Sequence, residues 1–197
     1  KLNVLYPSII AKVSYKLNIK LVHISTDHLF DGKNTDSDEL TLTSPLNNYS
    51  KTKSAGEKEV LKFNKEALLI RTNFYGWGPS YKKSFSDYII DNLENGNKVS
   101  LFADVNYNPI LVSELANAVH KLIEKKCNGI YNVVSNETIS KLNFGIMLAD
   151  EFNLDKKLIT PDLLSNRKEL VQRPLEMTLS SKKLNSEGVF VKTLINF

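Results

Sequence analysis

The sequence predicts an α/β fold built around a parallel β-sheet. Three short apolar runs, at residues 21–25, 67–71 and 129–134, are typical of strands buried on both faces of such a sheet. Segments of helical periodicity separate them, and strands that alternate with helices favour parallel pairing through crossover connections. Of the 197 residues, 42% are hydrophobic and 24% are charged, so a sizeable core is available.

The chain opens on a predicted amphipathic helix. Its apolar residues recur every four positions: Leu5, Ile9, Val13 and Leu17. Pro7 either begins the main body of this helix or kinks it. Further helical patterns cover about 48–63, 85–95 and 113–126, with Gly96 as a stop for the second and Ser113 as a cap for the third.

Composition and charge exclude several classes of function. The net charge of +4 comes from lysines spread along the chain without a basic, aromatic-rich cluster, so we expect no nucleic-acid partner. No apolar run approaches membrane-spanning length and no secretory pattern opens the chain, so we expect no membrane partner and a cytoplasmic location. The single Cys127 excludes an intramolecular disulfide, and no residues have the spacing of a metal site.

Tyr49 and Lys53 form the most informative pair in the sequence. They lie four residues apart at the start of a helical pattern, so they share one helix face and can reach one ligand. A nearby ammonium group favours the phenolate over the phenol, which makes a tyrosine useful in proton transfer. The spacing alone is also common on surface helices, so its weight depends on the surrounding residues.

A doubly wound sheet that binds a dinucleotide begins with a strand, a glycine-rich turn and a helix. The chain has eight glycines and no G-x-G-x-x-G motif, and it starts at Lys1 with a helix. Either the fold serves another purpose or the front of the protein lies upstream of Lys1. The opening on a helix without methionine favours an N-terminal truncation.

Ordered motifs resemble a known family. The sequence S-T-D-H-L-F-D-G at 25–32 and Y-S-K-T-K-S-A-G-E at 49–57 is similar to the extended short-chain dehydrogenase/reductases, in particular the dTDP-4-dehydrorhamnose reductase branch. Further similar segments follow in the same order: 71–76, 108–116, 129–133, and the Arg-Pro pair at 173–174. Similarity in one order over nearly the whole chain is far more specific than any single motif.

The resemblance implies a partial Rossmann-like doubly wound parallel sheet, with its front strands missing, and a small C-terminal α+β substrate-binding part. Residues 1–78 and about 110–135 would form the C-terminal half of the dinucleotide-binding domain. Residues about 79–109 and 136–197 would form the substrate-binding part. We expect the remaining sheet to expose an apolar edge, and the fragment alone to bind cofactor weakly and turn over little.

The resemblance also assigns roles to individual residues. Tyr49 would act as the general acid, and Lys53 would assist it and bind the nicotinamide ribose of NADP or NAD. Thr26 would polarise the substrate carbonyl from the carboxyl end of its strand, where open α/β sheets bind ligands. Asn73 and Phe74 would contact cofactor, and they replace the Ser-Trp that is usual in this loop.

Four residues are substrate-binding candidates besides Thr26. Asp27 and His28 could face the sugar, although the family usually has tyrosine at the position of His28. A histidine there either bonds a sugar hydroxyl or serves only as a loop residue. Asn73 could also contact the sugar, and Arg173 either borders the diphosphate or forms a structural ion pair.

The implied function is NAD(P)H-dependent reduction of a nucleotide-activated 4-keto sugar, and the expected protein partner is a second copy in a homodimer. Two alternatives stay open. One is a non-catalytic dinucleotide-binding subunit, similar to the regulatory subunit of methionine adenosyltransferase. The other is a sister nucleotide-sugar epimerase or dehydratase. The presence of Thr26, Tyr49 and Lys53 favours the reductase, since a pure binding module is free to lose its proton donor.

Overall fold

The structure is a computed structural model that describes residues 1–79, 81–192 and 194. The helices and strands follow in this order: α1 (Leu5–Lys16), β1 (Val22–Ile24), α2 (Asn48–Phe63), β2 (Leu68–Arg71), β3 (Phe74–Tyr75), α3 (Phe85–Glu94), β4 (Val99–Phe102), β5 (Asn106–Tyr107), β6 (Ile110–Leu111), α4 (Val112–Glu124), β7 (Gly129–Asn132), β8 (Ile139–Ser140), α5 (Lys141–Glu151), β9 (Ile159–Asp162) and α6 (Lys182–Ser186). None of the helices in this described part is long and apolar enough to cross a membrane.

The three predicted strands form one parallel sheet in the order β1-β2-β7. All four residues of β2 are buried, because this strand has a neighbour on each side. The expectation that β1 is also buried on both faces is wrong: Val22 and His23 are half-buried and Ile24 is 40% exposed. Within the described residues β1 pairs only with β2, so its other edge has no strand beside it.

The predicted helices are confirmed, with one correction. Helix α2 covers the expected residues, and Gly96 follows α3 with a φ of +71°, which suits glycine at a helix end. Pro7 lies in the first turn of α1, where the missing N–H costs no helical hydrogen bond. Ser113 does not cap α4, because that helix already begins at Val112 and has no side-chain cap.

Helices α1 and α2 pack closely against each other beside the sheet. At Gly56 of α2, an added Cβ would collide with the backbone oxygen of Asn3. The Asn3 amide also donates to Thr52 Oγ1 at 3.0 Å. This contact requires glycine at position 56, and it fixes the helix that carries Tyr49 and Lys53.

The remaining elements surround a second apolar cluster. Phe144 of α5 is fully buried at its centre and contacts the rings of Tyr75, Tyr107 and Phe85. Strands β4 and β9 pair in parallel, and β5 and β8 pair antiparallel, so this region is α+β. The proposed division into 1–78 with 110–135, and 79–109 with 136–197, stays a prediction; Ser80, Thr193 and 195–197 fall outside the described residues.

The long loop after β1 is held by residues distant in sequence. Ser37 forms a β-bridge with Leu179, and the Asp36 N–H donates to Thr178 Oγ1 at 2.9 Å. Glu39 accepts from the backbone N–H of Asn132 at 2.8 Å, at the end of β7. These contacts fix the loop that begins with the candidate residues at 26–28.

Candidate active site

A network of polar side chains lies where β1 and β2 end. Asp27 is only 2% exposed, and it accepts from Asn73 Nδ2 at 2.6 Å and from Thr26 Oγ1 at 3.2 Å. Thr26 also accepts from the backbone N–H of His28 at 3.3 Å. The carboxyl ends of parallel strands lie at one edge of the sheet. Asn73, which follows β2, can therefore bind the carboxylate of Asp27, which follows β1, although the two residues are 46 apart in sequence.

Tyr49 and Lys53 lie on the first two turns of α2, beside this network. Lys53 Nζ donates to the carbonyl oxygen of Ile24 at 2.7 Å, which ties the helix to the end of β1. Burial lowers the pKa of Lys53, and the nearby carboxylate of Glu57 opposes that shift. Tyr49 is 51% exposed, and its ring meets the His28 ring edge-on with centroids 6.1 Å apart.

His28 connects the tyrosine to the buried carboxylate. Its Nε2 lies 3.8 Å from Asp27 Oδ1, and its ring contacts Tyr49 on the other side. The structure therefore brings Tyr49, His28, Asp27, Thr26 and Asn73 into one continuous group of contacts. Five of the residues predicted from sequence thus lie together.

A cavity of about 350 Å³ adjoins this group. Its walls include His28, Asn73 and Arg173 among the predicted residues. Arg173 is exposed at the cavity and forms no ion pair with another described residue. Phe74 lies apart: it is 52% exposed and lines a neighbouring cavity of about 310 Å³ together with Trp77.

Another cavity, of about 820 Å³, does not adjoin these residues. It lies at the amino ends of the central strands, near Lys20 and Asn128. Within the described part of the chain, no group of three or more His, Cys, Asp and Glu side chains is arranged to hold a metal ion.

Three buried polar atoms near the strand ends have no hydrogen-bond partner among the described residues: Ser25 Oγ, Thr72 Oγ1 and His23 Nε2. Burial lowers the pKa of His23, and the charge of Lys53 adds to that effect. Ser25 and Thr72 follow β1 and β2 directly, so their hydroxyls lie at the ligand-binding edge of the sheet. Because buried polar groups in folded proteins are nearly always hydrogen-bonded, these two hydroxyls are candidates to bind a polar ligand or water.

Several residues of the cavity were not predicted from sequence, above all Lys141, with Phe85, Tyr88 and Met177. Lys141 begins α5, a helix that was not predicted. The available signal was Ser140, whose hydroxyl accepts from the Asn143 N–H at 3.1 Å, followed by apolar residues four apart. That signal locates the helix but not the cavity, which depends on tertiary contacts.

The parallel sheet, the polar group at its carboxyl edge and the Tyr-Lys helix define a Rossmann-like α/β protein. Within that class, the family model described as "RmlD substrate binding domain" matches residues 1–194. The chain belongs to this family.

Two curated relatives are similar to nearly the whole chain. The beta subunit of methionine adenosyltransferase 2 from Rattus norvegicus is 30% identical over 98% of this chain and 60% of its own length. A probable low-salt glycan biosynthesis reductase, Agl14, from Haloferax volcanii is 27% identical over 92% of this chain and 62% of its own length. The chain thus spans about three fifths of the length of these relatives.

Solved structures of dTDP-4-dehydrorhamnose reductases superpose closely on the chain. The enzyme from Bacillus anthracis, crystallised with NADP, is 26% identical with a TM-score of 0.88, covering 97% of this chain and 67% of its own. The enzyme from Clostridium acetobutylicum is 25% identical with a TM-score of 0.87, covering 96% and 68%. These likenesses agree with the resemblance read from the motifs.

Proposed function

We propose that this chain carries the proton-delivering and sugar-binding part of an NAD(P)H-dependent reductase that acts on a nucleotide-activated 4-keto sugar. The reaction would belong to surface polysaccharide or nucleotide-sugar biosynthesis, in the cytoplasm. The observation that carries the proposal is the hydrogen bond from Lys53 Nζ to Ile24 O, 2.7 Å long. It holds the Tyr-Lys helix against the strand end that leads into Thr26.

Each residue has a distinct chemical task in this proposal. When bound, the dinucleotide supplies the hydride to the ketone carbon. Tyr49 then gives its proton to the sugar oxygen, and the charge of Lys53 stabilises the phenolate that remains. Thr26 donates a hydrogen bond to the same oxygen. For this, the Thr26 hydroxyl rotates away from Asp27, to which it donates in the structure, and toward the substrate.

The residues present fit the nicotinamide half of such a cofactor. Lys53 and Tyr49 would bind its ribose, while Asn73 and Phe74 would lie beside the ring. The unpaired hydroxyls of Ser25 and Thr72 at the same edge of the sheet support a polar ligand there. His28, Asp27, Asn73 and Arg173 would contact the nucleotide sugar in the adjoining cavity.

Replacement of the proton donor tests the proposal. In the full-length protein, Tyr49→Phe should lower the rate of NADPH-dependent reduction by about a hundredfold or more, while cofactor affinity stays nearly unchanged. Lys53→Met should lower both the reduction rate and the cofactor affinity, because Lys53 would contact the cofactor and assist Tyr49. Stopped-flow absorbance and cofactor titration measure the two effects. A near-normal rate for Tyr49→Phe would show that another group delivers the proton.

A non-catalytic binding role is the second candidate, and the 30% identity to a methionine adenosyltransferase subunit favours it. A panel of 4-keto nucleotide sugars separates the two roles. The reductase proposal predicts oxidation of NADPH with at least one of them. Tight cofactor binding with no oxidation across the whole panel would favour the binding role.

A further inference from the structure

The cavity beside Tyr49 contains a lysine that none of the proposed roles uses. Lys141 is the first residue of α5 and directly follows β8, which pairs with β5. Its backbone N–H donates to Val105 O at 3.0 Å, so its position is fixed by the sheet pairing. The side chain extends along the wall of the cavity of about 350 Å³.

Two aromatic rings surround the ammonium group of Lys141. Its Nζ lies 3.4 Å from the ring centroid of Tyr107 and 4.7 Å from that of Phe85. Among the described residues it forms no ion pair and no side-chain hydrogen bond. The rings attract the cation but offer no oxygen, so an ammonium group remains with its donors unused beside an open cavity.

Positively charged side chains outnumber negatively charged ones around Lys141. Burial lowers the pKa of Lys141 to about 8; the carboxylate of Asp27 opposes this shift and the charge of Arg173 adds to it. Asp27 already accepts hydrogen bonds from Thr26 and Asn73, so its charge is partly satisfied.

The other titratable groups at Lys141 do not balance it. They are the imidazole of His28 and the phenol of Tyr88 on the cavity wall, and the phenol of Tyr107, whose pKa burial raises well above its usual value. None of these groups is a carboxylate. Lys141 and Arg173 therefore leave an excess of positive charge in the cavity.

We propose that Lys141 is a specificity-determining residue that binds an oxyanion of the substrate. The proposal rests on the assignment of a nucleotide sugar to this cavity. Two parts of such a substrate supply an oxyanion: the diphosphate, or a carboxylate on the sugar ring. A ligand with no oxyanion at this position would leave the ammonium group desolvated and unpaired, so the residue selects for the charged group.

Binding measurements with matched ligands test the proposal in the full-length protein without turnover. The ligands are dTDP, dTDP-glucose, UDP-glucose and UDP-glucuronic acid, titrated calorimetrically into wild type and Lys141→Met. We expect Lys141→Met to lose affinity by roughly ten- to a hundredfold, as for a lost charge-assisted hydrogen bond. Loss for all four ligands identifies the diphosphate as the partner, and loss for UDP-glucuronic acid alone identifies the ring carboxylate.

The pH dependence gives a second readout. Lys141 is an ammonium below its pKa of about 8, so wild-type affinity should fall as the pH rises through that value. The same change should be absent in Lys141→Met. Lys141→Arg, which stays charged, should retain affinity at about pH 9.5, where wild type has lost it.

Thermal stability separates binding from a structural role. The folded state disfavours the Lys141 ammonium, since its pKa lies below that of an exposed lysine, so Lys141→Met should melt no lower than wild type. The control Lys65→Met removes an exposed lysine far from the cavity and should leave affinity unchanged.

Two results would overturn the proposal: Lys141→Met binding every ligand within about twofold of wild type, or wild type binding none of them. A failure of the proposed reductase function is a different result. It would appear as absent NADPH oxidation while the effect of Lys141→Met on affinity persists.

Discussion

At the scale of single residues, Arg71 and Glu57 form a buried ion pair behind the site. Arg71 Nη2 lies 2.8 Å from Glu57 Oε2, and both side chains are 4% exposed. Arg71 Nε donates to the same carboxylate, and the guanidinium also lies over the ring of Phe30. The pair connects the end of β2 to the middle of α2, so it fixes the helix that carries Tyr49.

Glu57→Gln should lower the free energy of unfolding by about 3 kcal/mol, because it leaves the Arg71 charge buried without a counter-ion. Glu59→Gln is the matched control on the same helix. Glu59 forms an ion pair with Lys62, which is 63% exposed. Loss of this exposed pair should lower the free energy of unfolding by less than about 1 kcal/mol. Urea denaturation measures both. Equal losses for the two variants would contradict the importance of the buried pair.

The motif residues could be predicted singly from sequence, but their partners could not. Thr26, Tyr49 and Lys53 stand in contiguous, recognisable segments. The bond from Lys53 to the Ile24 carbonyl, and the meeting of Asn73 with Asp27, join separate elements. Such contacts depend on how strands and helices pack, which local sequence does not encode.

At the scale of elements, the start of α2 determines where the tyrosine lies. Asn47 accepts from the Ser50 N–H at 3.0 Å, and the Ser50 hydroxyl lies 3.2 Å from the Asn47 N–H, which completes a capping box. Asn47 Nδ2 also donates to Gln172 O at 2.9 Å, directly before Arg173. One side chain therefore fixes both the helix start and a segment at the cavity.

Asn47→Ala should lower the free energy of unfolding by about 1 kcal/mol. If the full-length protein is the proposed reductase, the same change should also slow hydride transfer, because Tyr49 is the second residue of α2. Ser84→Ala removes the equivalent cap of α3 and should cost similar stability without slowing the reaction. Asn47→Asp keeps the capping acceptor and should recover most of the stability. Denaturant unfolding and single-turnover rates measure these effects. If Ser84→Ala slowed the reaction as much, the cap would not act through Tyr49.

Four of the five described helices with ten or more residues were predicted, but α5, strands β4 and β9 and the shortest strands were not. Helices α1 to α4 and strands β1, β2 and β7 follow from periods of 3.6 residues and from apolar runs. Strands β3, β5, β6 and β8 contain two residues each, too few for any period. They form because packing around Phe144 brings their backbones together.

At the scale of the whole molecule, α1 exposes a broad apolar face. Leu5, Ile9 and Val13 are 47%, 49% and 47% exposed, and they lie on one side of the helix as their spacing predicts. The edge of β1 has no neighbouring strand within the described residues. Exposed apolar faces and open sheet edges both favour association with another surface.

The 197-residue chain should therefore self-associate as its concentration rises. The double variant Ile9→Gln with Val13→Gln should weaken this association, since it interrupts the apolar face of α1. Leu40→Gln with Leu42→Gln is the control, because these residues are 89% and 88% exposed but lie in a loop. Sedimentation velocity compares the three proteins. A monomeric wild type at all concentrations would contradict the expectation; homodimerisation of the full-length protein stays a prediction.

The sequence by itself determined the α/β class, the central strands and helices and the identity of the Thr26, Tyr49 and Lys53 motifs, because periodicity and contiguous motifs are local properties. Only the tertiary structure decided that Ile24 of β1 is 40% exposed and that Lys141 joins Arg173 and His28 at one cavity. Exposure and cavity walls arise from neighbours that are distant along the chain.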